Sequence, residues 1–181
     1  MTFDDRNMGE KVKESFKSCG QGIIIYPLAK IVKPEFVECG DHTRIDDFVF
    51  LNGGTGTKIG RYVHIASFVC IIGGGELVIG DYVGIANSST LITGTDDYHG
   101  GKRMTAALPE EQRHVVRGRI VLEKDSFIGS NSVIHPNVTI GEGAIIGSNS
   151  LVIKDVEPWT INVGSPCRII GKRPKLIIQD I

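Results

Sequence analysis

Large aliphatic residues recur at every sixth position between residues 122 and 157, and a small residue or valine stands four places after each one. The large residues are Leu122, Ile128, Ile134, Ile140, Ile146 and Val152, and those that follow are Ser126, Ser132, Val138, Ala144, Ser150 and Val156. An α-helix repeats its apolar residues every three or four positions and a simple strand every two, so neither explains this period. A six-residue period predicts a chain that turns a corner after each short strand, with three units completing one triangular coil of a β-solenoid.

The same spacing extends towards the N-terminus, with a longer step at one corner. Three more triplets of apolar residues are six apart, namely Cys39, Ile45 and Leu51; Ile59, Ile65 and Ile71; and Ile79, Ile85 and Leu91. Between triplets the step is eight, at glycine-rich residues 52–56 and 73–75, which predicts a bulge along one edge of the prism. The register breaks only between Leu91 and Leu122, so we expect a protruding loop at residues 92–121. A loop of that length inside a regular solenoid is typical of a functional segment.

The two ends of the chain lack the repeat. Residues 4–18 are rich in charge and carry Val12 and Phe16 four apart, which predicts a short amphipathic helix that caps the solenoid. We therefore divide the chain into an N-terminal helical cap at 1–24, a β-helix at 25–157 with its loop, and a C-terminal tail at 158–181. Residues 176–181 fit either a terminal strand or a disordered end.

Composition excludes several classes of protein. The chain has 181 residues, 41% of them hydrophobic, and its formal net charge is -1 with a pI near 6.5. That charge argues against nucleic-acid binding through bulk positive charge, and no apolar stretch is long enough to span a membrane. The four cysteines form no C-x-x-C pair and no secretory segment precedes them. We therefore expect reduced, buried thiols in a cytoplasmic protein.

Two motifs together carry a family resemblance. The uninterrupted hexapeptides are followed by residues 163–170, which read V-G-S-P-C-R-I-I. In this order the two motifs resemble the hexapeptide-repeat acyltransferases. The resemblance implies a left-handed parallel β-helix, acetyl-CoA or another acyl-CoA as co-substrate, no metal, and a homotrimer with three sites between subunits. It also implies a small acceptor such as a sugar or a nucleotide sugar.

Within this family, residues 85–91 and the loop that follows are most similar to the galactoside and maltose acetyltransferases. His99 is the first histidine after that segment, and the resemblance implies that it is the general base when a sugar hydroxyl attacks the thioester directly. Asn87 and Ser88 precede the loop and are candidates to hydrogen-bond the sugar. On this basis we favour acetyl transfer to a hydroxyl of a sugar or nucleotide sugar.

A second resemblance favours a different acceptor atom. Residues 95–98 read T-D-D-Y, which is similar to N-acyltransferases that act on nucleotide-linked amino-deoxy sugars. By this resemblance Asp96 contacts the acceptor amine or orients His99, although an aspartate here can also simply shape the loop as an Asx-turn. Asp97 and Tyr98 belong to the same candidate acceptor site. His64 is a further candidate, because it is placed as in these enzymes. N-acylation of an amino sugar is therefore the alternative.

The resemblance also implies a binding site for coenzyme A. Its residues would be Gly129, Ser130, Gly147, Ser148, Ile153, Lys154, Arg168 and Lys172. The glycines would let the pantetheine arm approach the main chain, and the cations would pair with the phosphates. The alternative for the cations is a solvated basic end of the domain.

Two other classes share the solenoid. A γ-type carbonic anhydrase binds zinc through three histidines, but the five histidines here include no H-x4-H pair. A solenoid subunit without catalysis is the second alternative, and the histidine in the loop and the complete terminal motif count against it.

Overall fold

The chain folds into a parallel β-helix with three flat walls, as the six-residue period predicts. The structure, a computed structural model, describes residues 7–177. Its strands stack in three sheets, and consecutive strands of one coil belong to different sheets. The first wall contains Ser18–Cys19, Val37–Cys39, Gly56–Ile59, Glu76–Ile79, Arg119–Leu122 and Val138–Ile140. The second contains Ile24–Ile25, Arg44–Ile45, His64–Ile65, Gly84–Ile85, Phe127–Ile128, Ile145–Ile146, Thr160–Val163 and Arg168–Lys172. The third contains Lys30–Val32, Phe50–Asn52, Cys70–Ile72, Thr90–Ile92, Val133–Ile134 and Leu151–Val152.

The core is a set of aliphatic columns inside the prism. Every large residue of the six clean hexapeptides is buried, from Leu122 at 0% exposure to Val152 at 1%. Along the second wall, Ile85 pairs with Ile128, which pairs in turn with Ile146. Each aliphatic side chain therefore buries its surface against its counterpart one coil away, and the stacking of coils is what forms the core.

The eight-residue steps lie at the corner between the third and first walls, as predicted. Gly54 has φ 61° and Gly73 has φ 102°, both in the left-handed region. A Cβ atom at Gly54 would overlap the Gly75 carbonyl of the next coil, and one at Gly73 would overlap the Gly94 backbone. Glycine is needed here because successive bulges stack in close backbone contact.

The protruding loop leaves from this same corner and is shorter than predicted. Ile92 still belongs to the strand Thr90–Ile92, and the first wall resumes at Arg119–Leu122, so the excursion covers residues 93–118. Its base is a two-stranded antiparallel ribbon in which Gly94–Asp96 pairs with Val115–Arg117. A 3₁₀ turn at Glu110–Gln112 lies beyond the ribbon.

The predicted N-terminal helix is present as a 3₁₀-helix at Gly9–Ser15, and part of the prediction at residues 4–18 lies outside the described residues. Val12 is fully buried beneath it. Gly9, with φ 59°, packs on Pro27, and the first strand already begins at Ser18. The short stretch between these two points contains a 3₁₀-helix of seven residues. Because Ser18–Cys19 pairs with Val37–Cys39, the solenoid starts inside the stretch predicted to be the cap.

At the other end, the terminal motif forms a hairpin on the second wall. Thr160–Val163 pairs antiparallel with Arg168–Lys172, around a turn that contains a cis bond before Pro166. Residues 176 and 177 are not in a strand, and the rest of the predicted terminal segment lies outside the described residues.

The four cysteines are free thiols, but only one of them is buried. Cys39 faces the core, whereas Cys19 is exposed and Cys70 and Cys167 are intermediate. The expectation of buried thiols is therefore wrong for three of the four, because those three lie on outward or terminal positions of the coil.

Candidate active site

The C-terminal end of the solenoid forms a groove that is lined by some of the residues predicted to bind coenzyme A. Ile153 and Lys154 follow the last strand of the third wall, and Arg168 begins the return strand of the hairpin. All three line one groove of about 530 Å³, together with Cys167. The N–H of Cys167 donates to the Leu151 carbonyl at 2.8 Å, which fastens the terminal motif to the last coil. The groove thus offers two cations and an apolar strip, and its lining also includes the carboxylates of Asp155 and Glu157.

The other residues predicted to bind coenzyme A lie elsewhere. Gly129, Ser130, Gly147 and Ser148 occupy the corner between the second and third walls and do not line the groove. A Cβ at Gly129 would lie 2.6 Å from the Ile146 carbonyl oxygen, so the stacking of coils by itself requires glycine there. Lys172 is exposed on the return strand, where it pairs with Thr160.

The same corner places Asn87 and Ser88 at the surface. The Ser130 hydroxyl donates to Asn87 Oδ1 at 2.7 Å, one coil away. Ser88 has φ 62°, and its N–H donates to the Ser67 carbonyl at 3.1 Å. Asn87 and Ser130, predicted for the acceptor and the donor respectively, are therefore neighbours.

The ribbon at the base of the loop carries two acid–base pairs. Arg113 Nη2 lies 3.2 Å from Asp96 Oδ1, and both side chains are largely buried, at 17% and 19% exposure. His114 Nδ1 lies 3.0 Å from Asp97 Oδ2. The Nε atom of Arg113 is buried and has no hydrogen-bond partner among the described residues. Neither Arg113 nor His114 was assigned a role from the sequence, because the antiparallel register that pairs them has no periodic signal.

Asp97, and not Asp96, shapes the start of the loop. Its Oδ1 accepts the His99 backbone N–H at 2.9 Å, which is an Asx-turn. That hydrogen bond lowers the pKa of Asp97 below its ordinary value. Burial has a smaller, opposite effect, and the nearby His114 adds to the lowering. Tyr98 is exposed, with its hydroxyl 3.4 Å from Thr95 Oγ1. The structure pairs Asp96 with Arg113 and shows no contact from Asp96 to His99, whose side chain is exposed, among the described residues.

His64 belongs to a different, rigid part of the molecule. It lies on the outer face of the second wall, where its Nε2 is 2.9 Å from Asp46 Oδ2. The guanidinium of Arg44 donates from Nε to Asp46 Oδ1 at 2.7 Å. Burial raises the pKa of Asp46, but the hydrogen bonds and charges of His64 and Arg44 outweigh it, and the pKa lies below its ordinary value.

The loop and His64 are on different faces of one chain. The loop leaves from the corner between the third and first walls, whereas His64 stands in the middle of the second wall. No group of three or more histidine, cysteine and acidic side chains suited to a metal ion occurs among residues 7–177. In the same part of the chain, no helix has the length and apolar character needed to cross a membrane.

Comparison with known proteins agrees with this architecture. The family model of the bacterial transferase hexapeptide (six repeats) matches residues 119–154. Over 165 residues the chain is 34% identical to the dTDP-4-amino-4,6-dideoxy-D-glucose acyltransferase of Escherichia coli, covering 91% of this chain and 86% of that protein. The chain belongs to the hexapeptide-repeat acyltransferases. Membership of this family confirms the predicted left-handed parallel β-helix.

Solved structures of this family are similar over most of the chain. AntD, an N-acyltransferase from Bacillus cereus in complex with dTDP and 3-hydroxybutyryl-CoA, is 35% identical with a TM-score of 0.85, covering 91% of this chain and 87% of AntD. A hexapeptide-repeat-containing acetyltransferase of Vibrio cholerae, complexed with acetyl-CoA, is 26% identical with a TM-score of 0.62. That alignment covers 97% of this chain and 81% of the other. Coenzyme A or an acyl-CoA is thus the shared ligand of these neighbours.

Proposed function

We propose that this chain transfers an acyl group from acetyl-CoA or another acyl-CoA to the amino group of a nucleotide-linked amino-deoxy sugar. The observation that carries the proposal is the similarity along nearly the whole chain to an acyltransferase named for such a substrate and to AntD with dTDP and an acyl-CoA bound. Of the two acceptors that the sequence left open, a hydroxyl and an amine, these relatives favour the amine.

The ribbon at the base of the loop supplies a suitable partner for an amine. Arg113 contacts only Oδ1 of Asp96 among the described residues, which leaves Oδ2 for a ligand. A sugar ammonium would form a charge-assisted hydrogen bond with that oxygen, stronger than the bond from a neutral hydroxyl. The partial burial of Asp96 adds to this preference, since the interaction is less screened than at an exposed site.

The reaction needs one base and one leaving group. The ammonium first loses a proton, because only its lone pair can attack the thioester carbonyl. The C–N bond forms, the C–S bond breaks, and the thiolate of coenzyme A takes the second proton that leaves the nitrogen. We assign the first proton to His99, whose ring is exposed on the loop and whose backbone is held by Asp97. No covalent acyl-enzyme is required.

The donor is assigned to the terminal groove. Lys154 and Arg168 line it with Ile153 and are the cations assigned to the phosphate groups, while Asp155 and Glu157 line another part of the same groove. Gly129, Ser130, Gly147 and Ser148 on the neighbouring corner are the proposed path of the pantetheine arm. The free cysteines fit a reducing cytoplasm, and we place the enzyme there.

The active form is proposed to be a homotrimer with a site at each of three interfaces. Phe48 and Phe68 stack with ring centroids 4.9 Å apart at the corner between the second and third walls, and they are 52% and 58% exposed. Both have φ 64°, an unfavourable value for a bulky side chain, at a corner position where later coils have Ser88 or asparagine. In the proposed trimer, a second copy of the chain covers these two rings, and burying them there offsets the cost of the unfavourable φ.

A thiol-release assay tests the proposed function. Purified protein is given acetyl-CoA or a longer acyl-CoA with a dTDP-linked amino sugar, and dTDP-glucose serves as the matched hydroxyl acceptor. We expect coenzyme A to be released only with the amino sugar, and mass spectrometry should show an amide product. Release only with dTDP-glucose would replace N-acylation by O-acylation. Absence of release with every acyl-CoA and sugar would refute the proposed function.

A further inference from the structure

The carboxylate of Asp46 is held on both oxygens by its two neighbours on the second wall. Oδ1 accepts from Arg44 Nε at 2.7 Å, and Oδ2 lies 2.9 Å from His64 Nε2. The Asp46 side chain is only 15% exposed, whereas those of Arg44 and His64 are 50% exposed. Arg44 is fixed in turn by the ring of Tyr26, whose centroid lies 5.0 Å from Cζ. The imidazole therefore has one defined orientation in the free protein.

This arrangement decides which ring nitrogen of His64 carries the proton. Asp46 has a pKa below its ordinary value, so its carboxylate is ionised at neutral pH and can only accept hydrogen bonds. A neutral His64 must then carry its hydrogen on Nε2. The lone pair is on Nδ1, which has no hydrogen-bond partner among the described residues. A carboxylate that fixes a histidine tautomer in this way is a common device for orienting a working imidazole.

On the side away from Arg44 and Asp46, His64 adjoins Gly84 and then Phe127 on the second wall. The strand residue paired with His64 in the next coil is Gly84, which has no side chain, and the residue paired with Gly84 in the following coil is Phe127. A Cβ at Gly84 would lie 3.0 Å from Phe127 Cδ2, so even a methyl group would crowd the ring. The ring of Phe127 therefore lies over the Gly84 backbone, and on this wall it adjoins the half-exposed imidazole of His64.

We propose that Asp46 is a positioning residue of the acceptor site, which holds His64 so that Nδ1 accepts a hydrogen bond from the acceptor's amino group beside the ring of Phe127. The inference rests on the proposed function for the identity of the acceptor. It assigns no proton transfer to His64: the imidazole orients the nitrogen, and the proton that leaves before attack still goes to His99. Asp46 never touches the acceptor, and it acts through the tautomer of His64.

The test compares Asp46→Asn with a matched control. An asparagine amide can donate to Nε2, so it favours the opposite tautomer, with the hydrogen on Nδ1. We expect KM for the amino sugar to rise at least about fivefold while KM for acyl-CoA stays unchanged. Two-bond ¹H–¹⁵N spectra of His64 should move from the Nε2–H to the Nδ1–H signature. Asp46→Glu, which restores a carboxylate, should recover most of the affinity.

Asp81→Asn is the control, because Asp81 also pairs with an arginine, Arg61, at 2.8 Å but has no histidine partner in the described structure. Its KM values should match those of the unmodified enzyme. A tautomer change in Asp46→Asn without a change in KM for the amino sugar would overturn the inference. So would an equal rise in both KM values accompanied by a lower melting temperature than that of Asp81→Asn.

Calorimetric binding of the amino sugar without acyl-CoA separates this inference from the proposed function. If the enzyme binds the sugar and Asp46→Asn weakens binding, the positioning role holds even when no acyl transfer is detected. If acyl transfer occurs but Asp46→Asn binds the sugar as tightly as the unmodified enzyme, the proposed function holds and the positioning role is refuted.

Discussion

Mixed trimers of two inactive variants should regain activity, because each proposed site takes its loop from one subunit and its wall from another. Within one chain, the loop leaves from the corner between the third and first walls, whereas His64 stands on the second wall. His99→Ala removes the proposed base from the loop. His64→Trp removes the Nδ1 lone pair and places a bulkier ring beside Gly84 and Phe127, at a half-exposed strand position where the larger ring does not enter the core.

The size of the recovery follows from the symmetry. In a cyclic trimer every interface has one loop donor and one wall donor. When two variants mix at random in equal amounts, an interface has an intact loop with a probability of about one half and an intact wall with the same probability. About a quarter of all interfaces are then complete. The parents are expected to be far lower, since losing a general base costs about 10² to 10⁴ in kcat. Losing the hydrogen bond between His64 and the charged amino group lowers the rate about 10- to 150-fold when the sugar concentration is well below KM.

The assay is thiol release from acyl-CoA at an amino-sugar concentration well below KM, after the variants have been unfolded together and refolded. A tag of different mass on each variant lets native mass spectrometry confirm the mixed trimers. His99→Ala mixed with Asp96→Asn is the matched control, because both changes are on the loop and no interface can be complete. If confirmed mixed trimers of the loop and wall variants have only the mean activity of their parents, the two groups do not share a site.

Two further predictions concern the core and the donor groove. Burial raises the pKa of the Cys39 thiol to about 12, above that of an exposed thiol in the unfolded chain. The contribution of the neutral thiol to the free energy of unfolding is therefore complete below about pH 8.5 and is lost as the pH rises towards 12. Urea unfolding between pH 8 and 11 should therefore show a steeper loss of stability in the unmodified protein than in Cys39→Ala, and equal slopes would contradict the assignment. Arg168→Ala should raise KM for acyl-CoA about tenfold without changing KM for the sugar, and less so at high salt, because a charge-assisted phosphate contact is lost. Arg61→Ala, a change at an exposed arginine outside the groove, is its control in the same kinetic assay, and equal effects of the two changes would exclude a phosphate contact at Arg168.

The walls could be predicted from sequence because one physical requirement repeats along the chain. Each coil must present an aliphatic residue to the coil above and below it, so the period survives wherever stacking continues, as at Ile128 and Ile146. The eight-residue steps were equally visible, since the bulged corner requires glycine where backbones touch, as at Gly54. Both signals reflect backbone and core constraints that tolerate little substitution.

The loop could not be predicted in the same way. Asp96 meets Arg113, and Asp97 meets His114, only because a short antiparallel ribbon sets their register. Nothing in the spacing of these residues repeats elsewhere, so no pattern indicates which acid faces which base. Sequence reasoning accordingly gave the possible Asx-turn to Asp96, whereas the hydrogen bond to the His99 backbone is made by Asp97.

The cluster at Asp46 is an intermediate case, because a signal existed in the length of the coil. Residues 20 apart are neighbours on the same wall in the N-terminal coils, so Arg44 stands beside His64. The same interval stacks Tyr62 on Tyr82, with ring centroids 5.4 Å apart. Comparing outward-facing positions at that interval would have placed two basic side chains, Arg44 and His64, side by side. The nearest acid in sequence to Arg44 on the same stretch, Asp46, would then have been the candidate to neutralise them.

The division between wall and loop also indicates how such a site can change its acceptor. Outward positions on the wall are free of the stacking requirement, yet they are fixed in space by the rigid coil beneath them, so a group such as His64 can hold one atom of the acceptor with little loss of entropy. The loop is supported by its ribbon and by the contacts Asp96–Arg113 and Asp97–His114, and none of the side chains described at residues 97–114 belongs to the core columns. Exchanging residues 97–114 for the loop of a relative should therefore alter which acceptor is acylated and leave KM for acyl-CoA unchanged, since the proposed donor groove at Arg168 is built by the last coil and the hairpin.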